Sequence, residues 1–150
     1  MCNNRDRGGF PLRTRSKLLL GGWSLCLLGG FAVAAGLEPD PRGYGTHQSL
    51  GLPPCTIRVM FGLPCPSCGM TTSFSNFIRG QFIGAAQANS AGLLLAVICA
   101  LQIPWCWVSI YQGRLWRVSR PEVGLVWMLL ILCGVSLLQW TLRLFGYWFD

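Results

Sequence analysis

The chain has 150 residues, 52% of them hydrophobic and only 11% charged, with a net charge of +7. Soluble domains carry about a quarter charged residues, so this composition excludes an ordinary water-soluble globule and points to a bilayer as solvent. The positive charge does not call for nucleic acid, because Arg5, Arg7, Arg13, Arg15 and Lys17 precede the first apolar block and Arg114, Arg117 and Arg120 lie between the last two. That is the placement the positive-inside rule gives to cytoplasmic segments, so the lipid bilayer is the expected partner and no nucleic acid is.

Residues 1–17 are polar and basic, with Gly8, Gly9 and Pro11, and read as a cytoplasmic tail without a hydrophobic face to bury. Residues 18–37 are uncharged and long enough to cross a hydrocarbon core of about 30 Å as a helix. A secretory signal peptide is the competing reading, with Ala32-Val33-Ala34 as its cleavage region. Against it, Gly22, Cys26, Gly30 and Ala34 recur at every fourth position, a small-residue face suited to close helix packing.

Residues 38–91 form a loop opened by Glu38-Pro39-Asp40-Pro41. Within it, Met70, Phe74, Phe77 and Ile78 have helical spacing and predict a short amphipathic helix at the outer interface, ending near Gly80. Thr71 and Thr72 are expected to cap that helix. Asn89-Ser90 caps a second span, 92–111, whose Gly92, Ala96 and Ala100 are expected to pack on the small face of the first. Pro104 falls inside this span, and Gln102 and Gln139 are expected to hydrogen-bond between helices. A basic turn, 112–122, carries Ser119-Arg120-Pro121-Glu122, which matches a capping box. It leads into a third span, 123–142, and an outer tail, 143–150, where Arg143 and the aromatics Phe145, Tyr147, Trp148 and Phe149 mark the interface. The expected fold is an all-α membrane protein with three transmembrane helices and one interfacial helix, its N-terminus cytoplasmic and its loop outside.

The chemistry concentrates in that loop. Cys26, Cys99, Cys106 and Cys133 sit in the spans as packing residues, and Cys2 stands alone in the tail. Cys55, Cys65 and Cys68 share the loop with His47, the single histidine. Three readings fit them. Three thiolates and one imidazole suit a tetrahedral zinc ion at His47, Cys55, Cys65 and Cys68. Alternatively, Pro66 starts a helix that activates Cys65 for thiol exchange with Cys68 and Cys55, although no βαβ unit is present to make a thioredoxin domain. The third is a disulfide from Cys55 to Cys65 or Cys68 that fastens the loop and leaves one thiol over.

Cys55, nine intervening residues, Cys65-Pro66-Ser67-Cys68-Gly69-Met70-Thr71, then Arg79-Gly80, Ala85 and Asn89, resembles the bacterial membrane family known as domain-of-unknown-function family 2752. The likeness covers roughly residues 50–95, with Pro66, Gly69 and Thr71 as structural motif positions. It implies a small multi-span protein of the bacterial plasma membrane and no particular reaction. The chain departs from the family pattern at Thr72, Gln81 and Ser90, where arginine, aspartate and proline are usual. An accessory or binding module is therefore expected rather than an enzyme, associating with itself or another membrane protein through its small-residue helix faces.

Overall fold

The computed structural model describes residues 11–116, 118 and 120–149, with side chains through residue 146. Six α-helices make up most of it: α1 (Thr14–Gly36), α2 (Thr56–Phe61), α3 (Met70–Ile78), α4 (Phe82–Ala88), α5 (Ser90–Gln112) and α6 (Pro121–Phe149), with a 3-10 turn at Thr46–Leu50. No strand occurs among the described residues, so the all-α class stands. Three helices, Thr14–Gly36, Ser90–Gln112 and Pro121–Gly146, are long and apolar enough to cross a membrane, which makes this a multi-pass membrane protein. Each starts ahead of the uncharged run, because the polar residues before it extend the helix at no desolvation cost outside the bilayer.

The loop inserts three short helices between α1 and α5 at one end of the bundle. Among the described residues, α3 and α4 pack on each other and on α5, while α2 contacts none of the other helices. At the opposite end the Leu12 N–H donates to the Gly113 carbonyl at 2.9 Å, which places the basic N-terminal segment beside the turn after α5. Gly113 ends α5 in the left-handed region at φ 67°, the usual device for closing a helix. The molecule thus has a basic end and a motif end. The tail before residue 11, with Cys2, lies outside the described residues, as do Arg117, Ser119 of the capping box and the side chains of Tyr147, Trp148 and Phe149. Pro121 does open α6, with Glu122 in its first turn.

Both span glutamines bridge helices as expected. Trp23 Nε1 donates to Gln102 Oε1 at 3.3 Å, joining α1 to α5, and the Ser90 N–H donates to Gln139 Oε1 at 2.8 Å, joining α5 to α6. The small-residue faces behave otherwise. Gly22, Cys26 and Gly30 are exposed, and a Cβ added at Gly22 or Gly30 would meet nothing within 4 Å. Only Ala34 of that row is buried, among Ser24 and Phe31. The reason is helical geometry: residues four apart drift by about 40° per step at 3.6 residues per turn, so a long row winds off any single contact face. Gly92 does sit at a close approach, but to Ser73 of α3, whose Cβ is 3.0 Å from where a Cβ of its own would lie.

The deepest burial falls on polar side chains, with Asn89, Thr72, Ser73 and Ser75 at the motif end, Ser24 along α1 and Ser109 toward the basic end of α5. Of the seven largest fully buried side chains, six are Asn89, Thr72, Ser24, Ser73, Ser75 and Ser109, and only Cys106 is not an alcohol or amide. No buried side-chain polar atom among the described residues lacks a hydrogen-bond partner. In lipid, where apolar contact between helices gains little over contact with acyl chains, such bonds and close small-residue packing hold helices together. Helix α3 shows the result. Its polar side, Thr72, Ser73, Ser75 and Asn76, faces inward, while Phe74 and Phe77 stack on Phe31 of α1 at 5.8 and 6.0 Å between ring centres.

Candidate metal centre

Each cysteine of the motif is placed by a different local device. Cys55 is the residue before the first turn of α2, and Gly62, at φ 67°, ends that helix and turns the chain back. Leu63 and Pro64 run extended, and the Pro64 carbonyl accepts from Trp140 Nε1 at 2.7 Å, which ties the segment to α6. Cys65 to Gly69 is a tight turn, with the Cys68 N–H donating to the Cys65 carbonyl at 3.0 Å. Gly69, at φ 85°, then feeds α3. Pro66 therefore opens a turn rather than a helix, and the expected helix-activated Cys65 is not formed. The left-handed Gly69 delays the helix to Met70, because only there does the backbone return to helical torsions.

The turn is clamped from behind. Asn89 Nδ2 donates to the carbonyls of Pro66 and Cys68, both at 3.1 Å, while its Oδ1 caps α5 by accepting from the Gly92 N–H at 2.8 Å. Arg143 Nη1 donates to the Cys68 carbonyl at 3.3 Å, and its Nη2 donates to the carbonyls of Gln87 and Ala88. Gly69 is buried where a Cβ would run into the carbonyl oxygens of Ala88 and Gly43, so glycine is required twice over, by space and by φ.

So held, the Sγ atoms of Cys55, Cys65 and Cys68 all lie within 4.8 Å of one another, half-buried, and none is in a disulfide. Tetrahedral zinc with Zn–S bonds near 2.3 Å needs sulfurs about 3.8 Å apart, so modest side-chain rotation brings three thiolates onto one ion. The backbone N–H of Arg58 lowers the Cys55 thiol from its ordinary value, assisted by that of Ile57 and opposed by burial. Burial pushes the Cys68 thiol up, and the Cys65 backbone N–H partly offsets it. Three convergent soft sulfurs with N–H···S support suit a thiophilic cation.

His47 lines the same small cavity, of about 110 Å³, with Cys55, Cys68 and Thr71. Its ring nitrogens do not join the three-sulfur group, so the expected four-ligand set is not assembled. Neither threonine caps α3, which begins without a side-chain cap. Thr72 instead shares a 2.8 Å hydrogen bond with Thr46, which docks the 3-10 turn that carries His47. Residues missed in the sequence are Trp140 and Arg143, whose spacing of three puts them on one face at the end of a span, and Asn89, legible there only as a cap.

These features define a class: a multi-pass, all-α membrane protein presenting a three-thiol cluster on a polar, buried scaffold. A family model described as "Protein of unknown function (DUF2752)" matches residues 55–103, from the first cysteine of the cluster into α5, and the resemblance to that family is borne out over those residues. No curated protein and no solved structure matches the chain.

Proposed function

We propose that this protein is a metal-binding module of the bacterial plasma membrane, holding a soft divalent or monovalent cation, zinc in the first instance, on Cys55, Cys65 and Cys68. The observation that carries the reading is the convergence of three sulfurs from two segments, fixed by Asn89 and Trp140 rather than by one another. A disulfide staple needs only two of them. Thiol exchange gains no support from Cys65, which lacks a helix behind it.

In this reading the N-terminus is cytoplasmic and the cluster lies on the outer side. The pairing of residues 11–12 with the turn after α5 supports it, since it gathers the basic segments at one end. The first span is retained rather than cleaved, in keeping with Phe31 under α3 and the Leu37 carbonyl accepting from Ser75. The uncovered row Gly22, Cys26 and Gly30 is available to a helix of a second copy or another membrane protein.

The test is metal analysis of the protein purified in detergent without chelator, with free thiols counted before and after reduction. About one zinc per chain with no disulfide is expected, and cobalt replacement should give a thiolate-to-metal absorption band. Cys55→Ser should abolish stoichiometric binding. Occupancy should fall with pH as protons compete for the sulfurs, beginning with Cys68, whose thiol burial has raised. One disulfide and no metal would overturn the reading.

A further inference from the structure

Adjoining the thiol cavity, with which it shares Tyr44, Arg58 and Cys68, lies a second, larger cleft, of about 440 Å³, whose walls also include Arg42 and Arg143. Arg42 and Arg58 both approach the Tyr44 ring, with guanidinium carbons 5.2 and 3.6 Å from its centre. Arg58 is thereby held flat on the ring. Arg143 is fixed differently, by the carbonyls of Cys68, Gln87 and Ala88. Three guanidinium groups therefore line one concavity.

Among the described residues, Arg42 pairs with Asp40 at 2.7 Å, and neither Arg58 nor Arg143 has a carboxylate partner. Like charges gathered in one concavity focus a positive potential that attracts an anion. We infer that this three-arginine cleft is a binding site for a phosphate oxyanion, either free or carried on a lipid headgroup. Guanidinium forks match phosphate oxygens in pairs. Arg58 is held on the Tyr44 ring before the ligand arrives, whereas Arg42 and Arg143 already donate to Asp40 and to backbone carbonyls and contribute chiefly their charge. The volume suits a phosphate-bearing group better than a halide. Arg143 and Gly146 lie in the last turns of a helix long and apolar enough to span, the part of a span where basic side chains meet lipid phosphates. The Arg58 backbone N–H supports Cys55 and Arg143 holds the Cys68 carbonyl, but no arginine side chain is a ligand to the thiol cluster. Separate zinc and phosphate measurements distinguish the two readings.

The test uses the full chain in neutral detergent, stripped of lipid, titrated with inorganic phosphate and followed by tryptophan fluorescence and thermal melting. A second arm reconstitutes it into phosphatidylcholine nanodiscs with and without phosphatidylglycerol and weighs the lipid retained on re-extraction. Arg58→Gln should weaken binding by roughly tenfold or more, as expected for a lost charge-assisted contact. Asp40→Asn should tighten it, by releasing Arg42 from its competing carboxylate while keeping the Oδ1 that accepts from the Arg42 N–H. Arg15→Gln, at the basic end, should leave it unchanged. Phosphate binding without phosphatidylglycerol retention identifies a free oxyanion, and selective retention identifies a headgroup. Equal binding by wild type and both cleft variants, or no binding in either arm, overturns the inference. So does an Arg58→Gln protein that loses zinc but binds phosphate normally, since the arginines would then serve the thiol cluster.

Discussion

The two ends of the bundle are built on opposite rules. Along the spans, large apolar side chains point outward: the most apolar stretch of α6 has no buried residue, and Leu129 and Leu130 are half exposed. At the motif end hydroxyls, amides and backbone carbonyls are buried in hydrogen-bonded pairs beside small apolar residues such as Ala85, Ala88 and Ala91. The difference follows from the solvent. An apolar side chain gains little by leaving lipid for protein, so the spans have little reason to form a core. A non-helical backbone near the membrane must find internal partners, so the C-P-S-C turn draws Asn89, Trp140 and Arg143 around itself.

One substitution made in both regions tests this contrast most strongly. Gly69→Ala places a methyl group against the carbonyls of Ala88 and Gly43 at a left-handed φ of 85°. It should destabilise the motif end by about 3 kcal/mol or more. Thermal melting in detergent and thiol accessibility of Cys65 and Cys68 would report it. A smaller effect is expected where a single bond links the two regions. Trp140→Phe removes the donor to the Pro64 carbonyl, and should cost about 1 kcal/mol and loosen zinc binding without unfolding the spans. Smallest of all is Gly30→Ala, which adds the same methyl group to open space on α1 and should change stability by less than about 0.5 kcal/mol. A large loss there would show that the uncovered face of α1 packs against another helix, and would remove the contrast drawn between the two ends.

How much of this was legible beforehand depends on the range of the interaction. The apolar runs that became α1, α5 and α6, the Asn89 cap and the bridging roles of Gln102 and Gln139 could be read from local pattern, because a span is set by length and hydropathy. The packing of the small residues could not, since spacing by four does not say which part of a winding row meets a partner. Nor could the inward polar face of α3, because in sequence its apolar and polar sides look alike whichever one faces the protein. His47, which shares a loop with the cysteines, stays outside their sulfur group because Thr46–Thr72 pairing fixes its turn elsewhere along the cavity.

By itself the sequence determined that three segments are long and apolar enough to span a membrane and that Cys55, Cys65 and Cys68 share the loop between the first two, because both depend on composition within short windows. The tertiary structure alone decided that the three sulfurs meet and that Arg42, Arg58 and Arg143 gather beside them. Those groups come from segments up to roughly a hundred residues apart, Arg143 held by backbone carbonyls that carry no signature in residue type and Arg42 and Arg58 gathered on the Tyr44 ring.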